Sequence, residues 1–252
     1  MEFIDSHCHL DFARIGELNT VIAQAQRRGV RRFVVPSVDA NNWTQVLTLS
    51  QTFPSIYAAL GVHPYFLRQD NQLKRLTALA HSQRQQIVAI GEIGLDGSLP
   101  QSLEQQLAVL KPQLALAKEL ALPVICHAHK AYDPLLKQLR QYQLAHGGVI
   151  HGFSGSLVQA NEFIKLGFKL GVGGVITYSR AKKTRQMFTQ VGLEHLLLET
   201  DSPDMPIAGH QGQVNTPQNI IHIAQDLAVI TKNSLATVAQ VTSQNTAELF
   251  NL

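Results

Sequence analysis

Cysteine is nearly absent, with Cys8 and Cys126 the only two in 252 residues. That excludes a secreted scaffold held by several disulfides, and both read as reduced, buried packing residues. Long apolar runs are also missing. No stretch approaches the roughly 20 continuous apolar residues of a membrane span, and no basic region followed by an apolar signal segment opens the chain. The sequence therefore reads as soluble and cytoplasmic, with no membrane contact and no obligate protein partner. Charge is sparse at 15% of residues, with a formal net charge of +3. So small an excess does not by itself argue for tight nucleic-acid binding, and a polyanionic substrate must be held locally by a site. No Gly-x-Gly-x-x-Gly opens the first helix, which leaves the dinucleotide-binding form of an α/β fold without support. With no low-complexity linker and no break in composition, residues 1–252 read as one domain.

What the chain does have is apolar residues, 45% of the total, and eleven histidines. The apolar residues fall into eight short runs, at 3–4, 32–37, 56–61, 87–90, 124–126, 148–150, 168–170 and 196–198. Between them lie segments with helical spacing, such as Leu18, Val21, Ile22 and Ala25. The last stretch, 216–249, is helical in pattern. Eight strands alternating with helices predict a parallel sheet closed into a TIM-like (β/α)8 barrel with C-terminal helices; an open doubly wound sheet is the alternative.

Polar residues at the strand ends carry the functional reading. His7 and His9 sit one residue apart at the first strand's end, where i and i+2 project to one face and Cys8 to the other. His63, Glu92, His127, His129, His151 and Asp201 follow at or just after later strand ends. In a barrel those ends form one rim around one pocket. His81, His146, His195, His210 and His222 fall in helices or loops and read as solvated surface. Imidazoles and carboxylates converging on a point suit Zn, Mn, Fe, Ni or Co better than Ca, and the sequence does not choose among these and Mg.

Asp5-Ser-His-Cys-His-Leu-Asp11, Gly61-Val-His-Pro64, Gly91-Glu-Ile-Gly-Leu-Asp96, Pro123 through His127, His151-Gly-Phe-Ser-Gly155 and Glu199-Thr-Asp-Ser-Pro203 resemble, in order and spacing, the TatD family of metal-dependent hydrolases. Gly171 to Gly174 and Pro203 to Pro206 look like its YjjV-type branch. The resemblance implies two divalent ions per chain. His7, His9 and Asp201 would bind one, His127 and His151 the other, with Glu92 bridging. It also implies a deoxyribonuclease or phosphoesterase, acting on DNA or a small phosphoester through a metal-activated water, with Asp201 and Glu92 as catalytic groups. The alternative is an amidohydrolase-like enzyme opening C–N or ester bonds at the same site, although Glu92 occupies the place where that class would carry a carboxylated lysine.

His63 and His129 are the expected substrate contacts. At His129 the chain departs from the family, which usually has His-x-Arg there; an imidazole replaces a permanent guanidinium suited to bidentate phosphate binding. Ser154, Gly155 and Ser156 precede a helix and read as an N-cap, with an anion site the alternative. Gly171 to Gly174 read as a backbone turn at the rim.

Overall fold

A computed structural model describes residues 1–67 and 72–252. Its eight strands are β1 (Phe3–Asp5), β2 (Val30–Pro36), β3 (Ile56–Leu60), β4 (Ile87–Asp96), β5 (Val124–His129), β6 (Gly148–Ile150), β7 (Phe168–Val172) and β8 (Leu196–Leu198). They lie side by side in chain order, and every neighbouring pair is parallel. One helix crosses over between each pair: α1 (Leu18–Arg27), α2 (Trp43–Thr52), α3 (Gln72–Ser82), α4 (Leu103–Glu119), α5 (Tyr132–Tyr142), α6 (Leu157–Lys165) and α7 (Lys182–Phe188). The Ser6 N–H donates to Leu198 O at 3.0 Å, drawing the first and last strands together. The result is the predicted TIM-like barrel.

Local chemistry sets the helix starts. Ser102 and Gln105 form a capping box on α4, and Ser156 and Gln159 form one on α6, so the Ser154–Ser156 segment does contain the expected N-cap. The helical tail divides into α8 (Ile220–Thr231) and α9 (Leu235–Phe250), because Lys232 takes a left-handed conformation and Ser234 caps the next helix.

Inside the barrel, Val34, Ala59, Ala89, Ile125, Val149 and Leu197 form one buried cluster, completed from below by Phe250 of α9. Residues of opposite parity, such as Phe33, Val35, Cys126 and Ile150, join the larger apolar layer beneath the helices. Cys8 and Cys126 are both free and buried there, as expected.

Two strands run further than the apolar runs predict. Strand β4 continues through Asp96 rather than stopping at Ile90, and β5 continues through His129 rather than Cys126. Glu92, His127 and His129 are therefore strand residues, not loop residues beyond a strand's end. The extension was hidden because a strand ceases to look apolar where its inward face becomes a polar site. In β4 the register against β5 shifts between Ile90 and Ile93. Both isoleucines face the helices, and the shift resets the alternation so that Glu92 faces inward.

Candidate metal centre

The seam between β1 and β8 builds one side of the site. Asp5 is fully buried and accepts from the Thr200 N–H (3.0 Å) and the Thr200 hydroxyl (2.6 Å). The Asp201 N–H donates to His7 O at 2.9 Å, and the His9 N–H to Ser202 O at 2.7 Å. These bonds hold His7, His9 and Asp201 together although almost 200 residues separate them. His7 Nε2 lies 3.3 Å from His9 Nε2 and 3.5 Å from Asp201 Oδ1.

Glu92 stands at the centre with its two oxygens facing different partners. Oε2 is 3.3 Å from His7 Nε2 and 3.5 Å from His9 Nε2. Oε1 is 2.9 Å from His151 Nε2, 3.2 Å from His63 Nε2 and 3.5 Å from His127 Nδ1. His127 Nδ1 and His151 Nε2 are 3.1 Å apart.

Hydrogen bonds on the far side of two rings aim them. His9 Nδ1 is 3.2 Å from Pro36 O and His127 Nε2 is 3.0 Å from Asp96 Oδ2. Protons placed there leave His9 Nε2 and His127 Nδ1 as lone pairs directed into the cluster. His63 is oriented the other way. Its Nδ1 accepts from the Tyr65 N–H at 3.1 Å, so in the neutral ring Nε2 carries the proton and donates to Glu92.

The donor set fits a cation. His7 Nε2 faces a nitrogen and two carboxylate oxygens within 3.5 Å, but has at most one proton to offer. Separations of 2.9–3.8 Å bracket the edge of about 3.4 Å that ligands would have around an ion at roughly 2.1 Å. His7, His9 and Asp201, and likewise His7, Glu92 and His151, have donor atoms close enough to share an ion; so do His63, Glu92 and His127, though the tautomer assigned to His63 argues against its ligation.

Protonation divides across the cluster. Burial opposes ionisation of Glu92, yet His63, His151 and His7 hold it well below the usual carboxylate range. Burial, then the charge on His151, pushes His7 down to about 3. Burial, then His63 and His151, takes His127 to about 4. Burial also opposes a proton on His9, but the bond to Glu92 and the charges of Glu92, Asp201 and Asp11 push it up to about 9. Burial raises Asp201 to about 7, against the pull of His151 and His9.

His7, His9, His63, Glu92, His127, His151 and Asp201 thus come together as the sequence predicts. His129 does not join them. Its side chain is 51% exposed, and Nδ1 bonds outward to Asp96 Oδ1 at 3.2 Å and Ser98 Oγ at 3.2 Å.

Sequence reasoning missed two residues. Asp96 is buried, accepts from Ser98 as well, and orients His127. Glu199 is also buried, accepts from the Gly152 N–H, and brings Oε1 to 3.7 Å from His151 Nδ1. Neither His151 Nδ1 nor Glu199 Oε2 has a hydrogen-bond partner among the described residues. Gly171 makes the close approach possible, since a Cβ there would lie 2.2 Å from Glu199 Oε2. Parity held the signal: Asp96 is four residues past Glu92 on one strand, and Glu199 is two before Asp201.

Comparison with known proteins agrees with this architecture. The family model for the TatD related DNase matches residues 4–251. A metal-dependent hydrolase of Escherichia coli, YjjV, is 43% identical over 255 residues, covering 99% of this chain and 98% of that one. A metal-dependent hydrolase of Haemophilus influenzae is 36% identical over the whole of both chains. The solved structure of the E. coli YjjV protein superposes with a TM-score of 0.96 at 42% identity, covering 99% of this chain and 98% of that one. With its barrel, its histidine–carboxylate cluster and a match along nearly its full length, the chain belongs to the TatD family and is a metal-dependent hydrolase of that type.

Proposed function

We propose that this chain is a phosphodiesterase that acts on DNA ends or small phosphoesters, with two divalent ions held across Glu92. The supporting observation is the division of the Glu92 carboxylate, one oxygen towards His7 and His9 and the other towards His127 and His151. His7, His9 and Asp201 would hold one ion, His127 and His151 the other. When bound, the ions supply Lewis acidity and lower the pKa of water.

The chain's own residues do the rest. Ionised Glu92 places negative charge between the two positions, and the His63 donor and Asp96 fix Glu92 and His127 in turn. Asp201, whose Oδ1 faces His7 and His9 at 3.5 and 3.8 Å, would take a proton from the attacking water as general base. His129, at the exposed edge, meets a phosphate oxygen from outside the cluster.

The test is hydrolysis of bis(p-nitrophenyl) phosphate and of end-labelled single- and double-stranded DNA, with metal analysis of the same preparation. Activity is expected to vanish on chelation and return with Zn or Mn. Glu92→Gln and Asp201→Asn should abolish it while leaving cooperative unfolding intact. A ceiling of one ion per chain refutes the bridging role. Turnover of lactones or dihydropyrimidines with no phosphodiester cleavage transfers the assignment to an amidohydrolase-like reaction.

A further inference from the structure

Two cavities meet at the cluster and share His127, His151 and Asp201. Their chemistry differs. The cavity on the His9 and His63 side, about 420 Å³, has Phe12, Tyr65 and Phe66 in its walls together with Arg14, which pairs with Asp204 at 2.9 Å. The other, about 360 Å³, has a wall of Ala128, Phe153, Val175 and Ile176, with Met205 beside them. Met205 is 42% exposed and marks the mouth. Gly173 and Gly174 complete that wall with bare backbone, and a Cβ on Gly174 would come within 2.7 Å of Met205 O.

Charge narrows the choice of occupant. Among the described residues lining the smaller cavity there is no lysine or arginine, and three carboxylates, Asp96, Glu199 and Asp201, stand in its wall beside the imidazoles of His127, His129 and His151. An anionic group there meets repulsion with no permanent cation to offset it. A cationic group finds only Asp201, whose carboxylate already faces His7 and His9 and would be taken by the ion proposed there. Asp96 is engaged by Ser98, His127 and His129, Glu199 Oε1 accepts from the Gly152 N–H, and Glu199 Oε2 is sealed from the cavity beside Gly171. What remains is a compact slot with one apolar wall, opening onto the candidate metal-ligating side chains.

We propose that this smaller cavity is the subsite for an uncharged, planar, largely apolar ring attached to the reacting phosphorus, and that it rejects an ester group bearing its own negative charge. The identity of the reacting group rests on the phosphodiesterase reading; the preference for the ring rests on the cavity itself. It favours an aryl ester next to the scissile bond over a second phosphate in that place.

The test is calorimetry on the metal-loaded protein with four phosphonates, which bind through a common head and are not hydrolysed. Phenylphosphonate is expected to bind on the order of tenfold tighter than methylphosphonate, as burial of one ring's apolar surface implies. 4-Carbamoylphenylphosphonate should keep that gain, and its near-isostere 4-carboxyphenylphosphonate should lose it. Val175→Trp, which fills the slot, should bring the phenyl-to-methyl ratio towards one. Met205→Trp closes the same space from its exposed mouth and serves as the second variant should Val175→Trp fail to fold.

Equal affinity for phenyl and methyl heads overturns the subsite. So does a ring preference that survives both tryptophan variants and disappears with Tyr65→Ala, because the ring would then lie in the other cavity. If the ring preference holds while neither bis(p-nitrophenyl) phosphate nor methyl p-nitrophenyl phosphate is hydrolysed, the subsite stands and the phosphodiesterase reading falls.

Discussion

Glu199 offers a sharp test of how the cluster is held in place. Its carboxylate is fully buried, accepts from the Gly152 N–H and lies 3.7 Å from the unpartnered His151 Nδ1. A ligand whose far nitrogen is backed by a carboxylate keeps its orientation and its basicity, and loss of such a partner typically costs 10–100-fold in metal affinity. Glu199→Leu removes the acceptor and leaves one half-buried donor, the Gly152 N–H, newly unsatisfied, at a cost of about 1–3 kcal/mol. The metal-free variant should therefore lose roughly 1–3 kcal/mol of stability, and its metal affinity should fall at least tenfold. Glu199→Gln keeps a carbonyl where Oε1 accepts, so its stability should stay within about 1.5 kcal/mol of the parent, with metal affinity between the two. Gly171→Ala supplies an independent route. Its new methyl, 2.2 Å from Oε2, must drive Glu199 aside and should weaken metal binding with the carboxylate still present. Denaturant unfolding of the metal-free proteins and competition against a chromophoric chelator read the two quantities separately. Parental metal affinity in both Glu199→Leu and Gly171→Ala would refute the reasoning, however much stability either variant lost.

Metal binding should release protons, because His9 is pushed up to about 9 and His151 well above its ordinary value, and both must be neutral to ligate. Affinity should rise with pH from 6 to 9, and calorimetric heats should change with buffer ionisation enthalpy; buffer-independent heats refute this. For the metal-free protein the sign is opposite: a His9 pKa raised in the fold contributes stability that is complete below about 6.5 and is lost as pH climbs through about 9. Phe250→Ala should cost about 3–5 kcal/mol by opening a cavity under the barrel while leaving the metal content unchanged, measured by unfolding and elemental analysis. His129→Arg, restoring a guanidinium beside Asp96, should lower KM for a phosphodiester several-fold, worth about 1 kcal/mol; an unchanged or higher KM shows that His129 does not stand in the arginine's place.

The barrel was legible because each of its strands has a solid apolar run where both faces are covered, and the helices between them keep a 3.6-residue spacing. The clustering of the candidate ligands was legible for a related reason. A histidine or carboxylate ending an apolar run is costly unless it has a task, and His7, His9, Glu92, His127, His151 and Asp201 all do so. Residues one step behind the ligands were not legible. Asp96 and Glu199 act through other side chains, and their partners are set by register and by the shift between Ile90 and Ile93, which one sequence does not display. His129 lines the same cavity as His127, where strand parity places it, but its bond to Asp96 and Ser98 is a tertiary contact that parity does not display. The cavity wall at Val175, Ile176 and Met205 comes from loops after β7 and β8, where no periodicity announces a shared surface.

The seam between β1 and β8 has a consequence for how the protein is made. Its bonds join residues 5–9 to residues 198–202, so the ends of the barrel meet only after some 190 intervening residues have been synthesised and wound. Contacts of such sequence separation form late. Until Asp201 has been made, His7 and His9 lack the third partner that the seam brings to them. The ion proposed there would arrive as a clasp on a finished ring, and metal supply would govern how firmly the ring stays shut after release rather than whether its strands find their order.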